Sequence, residues 1–345
     1  MSAARIEALL ARAREERVFS AAAWSVGTAD GELAGGVLGT RSWDGPALAR
    51  GDLFDLASVT KPIAGLAVMA LLEEGALTLG TAVGDLLPFF RGSTKEALTA
   101  RDLMLHTSGL PGQVPMYRDH PTRDAMLDGL WVLPPRRAPG EAVEYSSQGL
   151  MLLGLMAEAA AATTLDVLVE RYVAAPAGAA SLRFTPEAGD RERCVATEDC
   201  PWRGRVVTGE VHDENAVVLG GVAAHAGLFG GVDDLARLGR ALLANRAERV
   251  LLHPATFAAM TRPRTAHLGE VRALTWQGYD DIGSPAGDLV GPATFGHTGF
   301  TGTSLFADPE LGRYFVLLTN RVHPSRAGTG IAVVRRAFHN LAVLS

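Results

Sequence analysis

The spacing of apolar residues along the chain changes several times, and each change predicts an element. Residues 1–17 scatter Arg5, Glu7, Arg12, Arg14, Glu15, Glu16 and Arg17 through an otherwise apolar stretch, the pattern of an amphipathic helix. Apolar, glycine-punctuated runs follow at 19–26 and 33–40, and the Ala29-Asp30-Gly31 turn between them predicts a hairpin. From 58 to 74 the period becomes helical and strongly apolar through Ile63, Leu66, Ala67, Met69, Ala70 and Leu71. Gly75 then stands where a helix ends in a left-handed residue. Residues 76–264 read mainly as helices broken by Pro/Gly loops, with helical patterns at 98–105, 149–162, 165–174 and 232–244 and a loop-rich stretch at 112–139. Strand-like runs return at 273–279, 293–297, 303–306 and 314–319, before a terminal helix over 328–343.

This order predicts an α/β (α+β) fold in which one antiparallel sheet draws strands from both ends of the chain and carries helices on both faces. Residues 1–75 and 265–345 would form the sheet domain, and residues 76–264 a large, mainly helical inserted domain. The active site is expected in the cleft between them.

Composition narrows the function classes. Hydrophobic residues make up 48% of the 345 and charged residues 20%, ordinary for a globular enzyme. The formal net charge is -6 and there is no basic stripe, which argues against nucleic acid and anionic membranes as partners and leaves a small-molecule substrate. The apolar run at 216–232 is interrupted by His225 and several glycines, so it is a poor membrane span. The charges in residues 1–17 leave no room for the apolar stretch of a secretion signal, and a cytoplasmic location is expected. Cys194 and Cys200 lie close together and read as free thiols, with a local disulfide as the alternative. No cofactor is expected. Lysine is almost absent: Lys61 and Lys95 stand against thirty arginines. A lysine that persists in such a chain marks a place where an amine that can lose its proton is needed, since arginine stays charged. Lys95, by contrast, sits in a polar turn and is expected to be exposed, so that Lys95→Arg should have no measurable effect.

Three motifs carry candidate chemistry. In Ser58-Val59-Thr60-Lys61 the two ends lie three residues apart, on one face of a helix, so hydroxyl and amine can meet. Pro62 is tolerated only in a helix's first turn and places the helix start near Ser58. The positive end of the helix dipole then favours a developing Ser58 alkoxide and an uncharged amine, the state in which lysine can take the serine proton. Read alone, such a serine is also an ordinary N-cap. The second motif is Tyr145-Ser146-Ser147, after Pro139-Gly140 and Glu144. A phenol held between cations gives up its proton more readily than in water and can shuttle it to a leaving group, though a lone loop tyrosine also reads as packing. The third is His297-Thr298-Gly299-Phe300-Thr301-Gly302, where glycine lets a strand approach a ligand closely and a backbone N–H could join that of Ser58 in an oxyanion hole. A lone H-T-G also reads as a turn.

Taken together and in this order, the motifs resemble the serine β-lactamase and penicillin-binding-protein superfamily, nearest its class C-like branch, which also holds D-alanyl-D-alanine carboxypeptidases, D-amino-acid amidases and esterases. The resemblance runs from about Phe54 to Asn320, through Phe54-Asp55-Leu56-Ala57-Ser58-Val59-Thr60-Lys61, Leu103-Met104-Leu105-His106-Thr107-Ser108-Gly109-Leu110-Pro111, the Gly220-Gly221 turn and Leu317-Leu318-Thr319-Asn320. It implies Ser58 as nucleophile, Lys61 as general base and Tyr145 as catalytic tyrosine. The oxyanion hole would be the N–H groups of Ser58 and Phe300, and Ser147, His297, Thr298 and Gly299 would contact substrate. No metal takes part in that chemistry.

Two departures bear on substrate. Ser147 replaces the amide of the usual Tyr-x-Asn, and a hydroxyl offers only one donor. His297 replaces a frequent lysine, and a histidine mostly neutral near pH 7 holds a carboxylate less firmly. The expectation is therefore a serine hydrolase acting through an acyl-enzyme on a carboxylic ester or small amide. A β-lactamase or D-alanyl-D-alanine carboxypeptidase is the alternative, and a penicillin-recognising protein that binds without turnover is an alternative of another class. His212, Asp213 and His225 lack the spacing of a familiar metal set and are expected at the cleft rim. His106 is expected to make structural hydrogen bonds, and Arg321 and His323 to lie either at the cleft or in a solvated loop.

Overall fold

The short apolar runs at the two ends of the chain meet in one sheet. The structure, a computed structural model, describes residues 2–281 and 283–345; Met1, at the start of the expected first helix, lies outside the described residues. Six strands, β1 (Ala21–Gly27), β2 (Glu32–Gly39), β3 (Gln277–Gly278), β4 (Phe295–Thr298), β5 (Ser304–Asp308) and β6 (Arg313–Thr319), pair antiparallel in the order β2-β1-β6-β5-β4-β3. The Thr28 N–H to Gly31 carbonyl bond closes the expected hairpin at 2.9 Å. Successive residues of a strand point to opposite faces. Trp24, Phe306, Phe315 and Leu317 therefore enter one core, and Ala23, Leu305, Val316 and Leu318 the other.

Five helices fill these cores and position the site: α1 (Ser2–Glu15), α2 (Thr60–Glu73), α3 (Ser147–Ala161), α4 (Val232–Ala244) and α5 (Ile331–Val343). α1 and α5 cover the Trp24 face, where Phe338 meets the indole edge-on at 6.3 Å. α4 covers the opposite face, with α2 and α3 in the same large core. α2 is buried on nearly every side, which explains why its sequence carries no polar stripe. Gly75 ends it with a φ of +74°, as its position predicts. A small sheet of Arg183–Phe184, Leu228–Gly230 and Phe54–Asp55 ties the central residues to the segment that leads into α2.

Three details differ from the sequence expectation. The loop-rich stretch at 112–139 contains a helix, Arg123–Val132, started by the Thr122 hydroxyl on the Ala125 N–H and anchored by buried Met126 and Leu130. The run at 273–279 keeps only Gln277–Gly278 as strand, because Thr275 turns the backbone to φ +64° just before it. The pattern at 165–174 starts as an α-helix, Leu165–Val169, and widens into a π turn, Glu170–Ala174. Cys194 and Cys200 are both free and buried, and burial pushes the Cys194 thiol up to about 12.

Lys95 is not exposed. It is 1% accessible, and its ammonium donates to the Trp131 and Leu133 carbonyls that end the helix Arg123–Val132, a site that favours a cation. Burial lowers it to about 8. The expectation that Lys95 is exposed is corrected accordingly. A planar guanidinium cannot enter this slot without displacing it, so Lys95→Arg should cost about 1–3 kcal/mol in thermal unfolding. Lys95 lies outside the cleft, so turnover by the folded variant should be unchanged.

Candidate active site

Ser58 lies in a single 3-10 turn, Ala57–Val59, and α2 begins only at Thr60. The i, i+3 spacing therefore spans a helix junction. Lys61 is fully buried, and its Nζ lies 2.9 Å from Ser58 Oγ and 2.9 Å from the His225 carbonyl oxygen. Ala57, just before the serine, holds φ +47°, a conformation few non-glycine residues adopt and one that stores about 1–3 kcal/mol. Buried Asp55 holds it there, accepting the Ala57 N–H at 2.7 Å and the His212 N–H at 2.6 Å. Burial raises the Asp55 carboxyl against these donors.

Tyr145 ends a turn shaped by the residues around His106. Glu144 N–H donates to the His106 carbonyl at 2.9 Å, and Ser146 N–H donates to His106 Nδ1 at 3.1 Å. Ser146 then caps α3 by accepting from Gly149 N–H. His106 is thus a structural residue with Nδ1 as acceptor. Its ring packs 4.7 Å from that of Tyr145. Lys61 Nζ stands 4.7 Å from the centre of the phenol ring and the Arg272 guanidinium 5.3 Å. No motif marks Arg272, which directly precedes the strand-like run at 273–279.

The third motif reaches Ser58 because Gly299 has no side chain. A Cβ there would stand 2.5 Å from the Leu56 carbonyl oxygen and would collide with Thr303. Thr301 and Thr303 hydroxyls donate to the Asp55 and Leu56 carbonyls at 2.7 and 2.9 Å, fastening the end of β4 and the start of β5 to the serine turn. His297 Nδ1 lies 2.8 Å from the Thr298 carbonyl, which can only accept, so that nitrogen carries the proton. Burial, Arg272 and Lys61 hold His297 well below its ordinary value, and the ring is neutral. Its Nε2 is left as an acceptor, unable to hold a carboxylate.

Ser58, Gln113 and Phe300 line both of two adjoining cavities. The larger, about 340 Å³, also meets Tyr145, His297, Thr298 and Gly299. Arg272, Arg321 and Arg335 stand on its wall. The smaller, about 240 Å³, meets Ser147, His212 and Asp213. The expected site residues other than Lys61 thus line one two-lobed cleft, with Phe300 in both lobes, and the fully buried Lys61 meets it through Ser58. Arg321 reaches it, while His323 is buried against the Thr197 carbonyl instead. The sequence reading missed Gln113 and Arg335 as well as Arg272.

Arg335 comes from the buried face of α5. One of its terminal nitrogens donates to the Gly299 and Thr303 carbonyls at 3.3 and 3.2 Å, its Nε has no partner, and no carboxylate among the described residues pairs with it. Burial and Arg321 lower it to about 10, so it stays cationic at neutral pH. His212 and His225 do not share a ligand position: His212 Nε2 meets Glu198 and His225 Nε2 meets Asp213, each at 3.0 Å. Glu198, Cys200 and Glu214 lie close together, but Arg326 already bridges the two carboxylates at 2.5 Å each.

The geometry offers a hydroxyl beside an amine, a facing phenol and a close strand backbone, the parts of acyl transfer through serine. Residues 6–338 match the Beta-lactamase family. A "Putative D-alanyl-D-alanine carboxypeptidase" of Escherichia coli (strain K12) is 29% identical over 306 residues, 79% of this chain and 70% of that protein. An "N-acetylmuramyl-L-alanine amidase" of Bacillus subtilis (strain 168) is 30% identical over 303 residues, covering 79% and 68%. Among solved structures, "EstCE1, a hydrolase with promiscuous acyltransferase activity" has the same fold, with a TM-score of 0.80 at 20% identity over 99% of this chain and 98% of that one. The chain is a serine hydrolase of the β-lactamase family.

Proposed function

We propose that Ser58 attacks a substrate carbonyl while Lys61, directly or through Tyr145, takes its proton. The contact that carries this reading is the 2.9 Å approach of Ser58 Oγ and Lys61 Nζ at the junction of the cleft's two lobes. The carbonyl oxygen would sit against the N–H groups of Ser58 and Phe300, where its growing charge is stabilised. Tyr145 would protonate the leaving group as the bond to it breaks, leaving an ester on Ser58. Water, deprotonated by the same pair, would then cleave that ester and return the proton to Ser58.

For substrate, we propose a small amide or carboxylic ester carrying a free carboxylate. The unpaired Arg335 supports this, since a buried cation without a counter-ion is costly and an anion in the larger lobe would supply one. Arg272 and Arg321 on the same wall add to the attraction. This recognition would not need a cationic residue at 297. D-Alanyl-D-alanine carboxypeptidase activity is a second reading, favoured by the same arginine and by the names of the relatives.

Arg335→Gln tests the proposal with two chromogenic esters that differ only in a free carboxylate. A charge-assisted contact is worth about 1.5–3 kcal/mol, so KM for the charged ester should rise roughly ten- to a hundredfold. The neutral ester should be hydrolysed within about threefold of the wild-type rate. Equal losses on both esters would contradict the assignment.

A further inference from the structure

Behind Lys61 lies a buried polar strut. Asp213 Oδ1 accepts the Ala216 N–H at 2.9 Å, which caps the short helix Glu214–Val218, and lies 3.0 Å from His225 Nε2. A carboxylate only accepts, so His225 Nε2 carries a proton. His225 is almost wholly buried, and its Nδ1 has no partner among the described residues, so Asp213 is the ring's one polar anchor there. The backbone carbonyl of the same residue takes the Lys61 amine at 2.9 Å. The turn is closed on both sides: Ala226 N–H donates to the Ala223 carbonyl, and Leu228 N–H donates to Thr60 Oγ1 in the first turn of α2.

This arrangement bears on which way the amine points. An uncharged lysine amine has two N–H groups and one lone pair. If the His225 carbonyl takes one N–H, rotation about the last side-chain bond is fixed and the lone pair can be turned toward the Ser58 hydroxyl. We propose that Asp213 and His225 act as a single positioning unit for Lys61, with the ring–carboxylate contact holding the carbonyl that orients the amine. The unit gives the Asp213–His225 pair a role that needs no metal, while His212 pairs with Glu198 instead. It rests on the reading of Lys61 as the base. Neither residue takes part in bond making. Burial alone would raise the Asp213 carboxyl, and the His225 ring and the Ala216 N–H overcome it and hold the group below the usual carboxylate range.

The test compares His225→Ala, Asp213→Ala, the double variant and His225→Gln. For each, kcat is expressed per Ser58 that reacts with a fluorophosphonate, so that misfolded enzyme is not counted. Small misplacements of a catalytic group cost up to about a hundredfold, so each alanine variant should lose roughly ten- to a hundredfold in kcat with KM within about threefold. The double variant should lose no more than the worse single one, because the pair acts as a unit. His225→Gln presents an amide N–H to Asp213 and should recover most of the rate. If His225→Ala does not fold, Asp213→Ala, at the half-buried end of the strut, gives the same comparison with His225→Gln. Unchanged kcat per reactive Ser58 in the alanine variants, or losses that multiply in the double variant, would overturn the proposal. Wild-type enzyme that takes up no fluorophosphonate at Ser58 would instead overturn the nucleophile reading beneath it.

Discussion

Lys61→Arg should lower kcat by about two to four orders of magnitude, the contribution of a positioned general base. The variant keeps a positive charge and a long side chain but cannot supply an uncharged nitrogen to take the Ser58 proton. It also enters a fully buried site in which Nζ already has two partners at 2.9 Å, the Ser58 hydroxyl and the His225 carbonyl. A guanidinium there donates to both and accepts from neither. Because the larger group also strains a buried site, thermal unfolding and kcat are to be measured on the same preparation. Near-normal turnover in folded Lys61→Arg would refute the base assignment.

Tyr145→Phe should reduce kcat by a similar order, since it removes the phenol proton while keeping the ring. The ring's neighbours all survive the substitution: His106 at 4.7 Å, His297 at 5.8 Å, the Lys61 amine and the Arg272 guanidinium over its face. Structure and KM should therefore change little, and the loss should appear in kcat. His297 offers no substitute proton donor, because its one N–H is spent on the Thr298 carbonyl. A folded Tyr145→Phe enzyme that keeps its rate would show that the leaving group takes its proton elsewhere.

The site was legible where its chemistry sits on contiguous residues. Ser58 and Lys61 are three apart across the start of α2, and Pro62 marked where that start lies. Gly299 was legible as a place of close approach, and the Leu56 carbonyl is what approaches. The scarcity of lysine was also informative, although it was read in half: both lysines are buried amines, Lys61 beside Ser58 and Lys95 at the end of a helix. The arginine wall was not legible. Arg321 was legible only as a residue at the cleft or in a solvated loop, and in a sequence with thirty arginines neither Arg272 nor Arg335 stands out. What singles out Arg335 is the lack of a carboxylate beside it, a property of packing that no local pattern carries. In the fold, the sheet was readable from short apolar, strand-like runs with hairpin-type spacing that recur at both ends of the chain. The helix at 123–132 was not, because its short apolar face is flanked by prolines and its start depends on one threonine hydroxyl.

The most direct test is peptide mapping by mass spectrometry of wild-type enzyme, acid-quenched while it turns over a slow ester. An acyl mass on the peptide containing Ser58, lost in Ser58→Ala and accumulated and cleared with the kinetics of turnover, is the predicted result. Turnover with the acyl group on another residue, or with no covalent species at any time point, would contradict it.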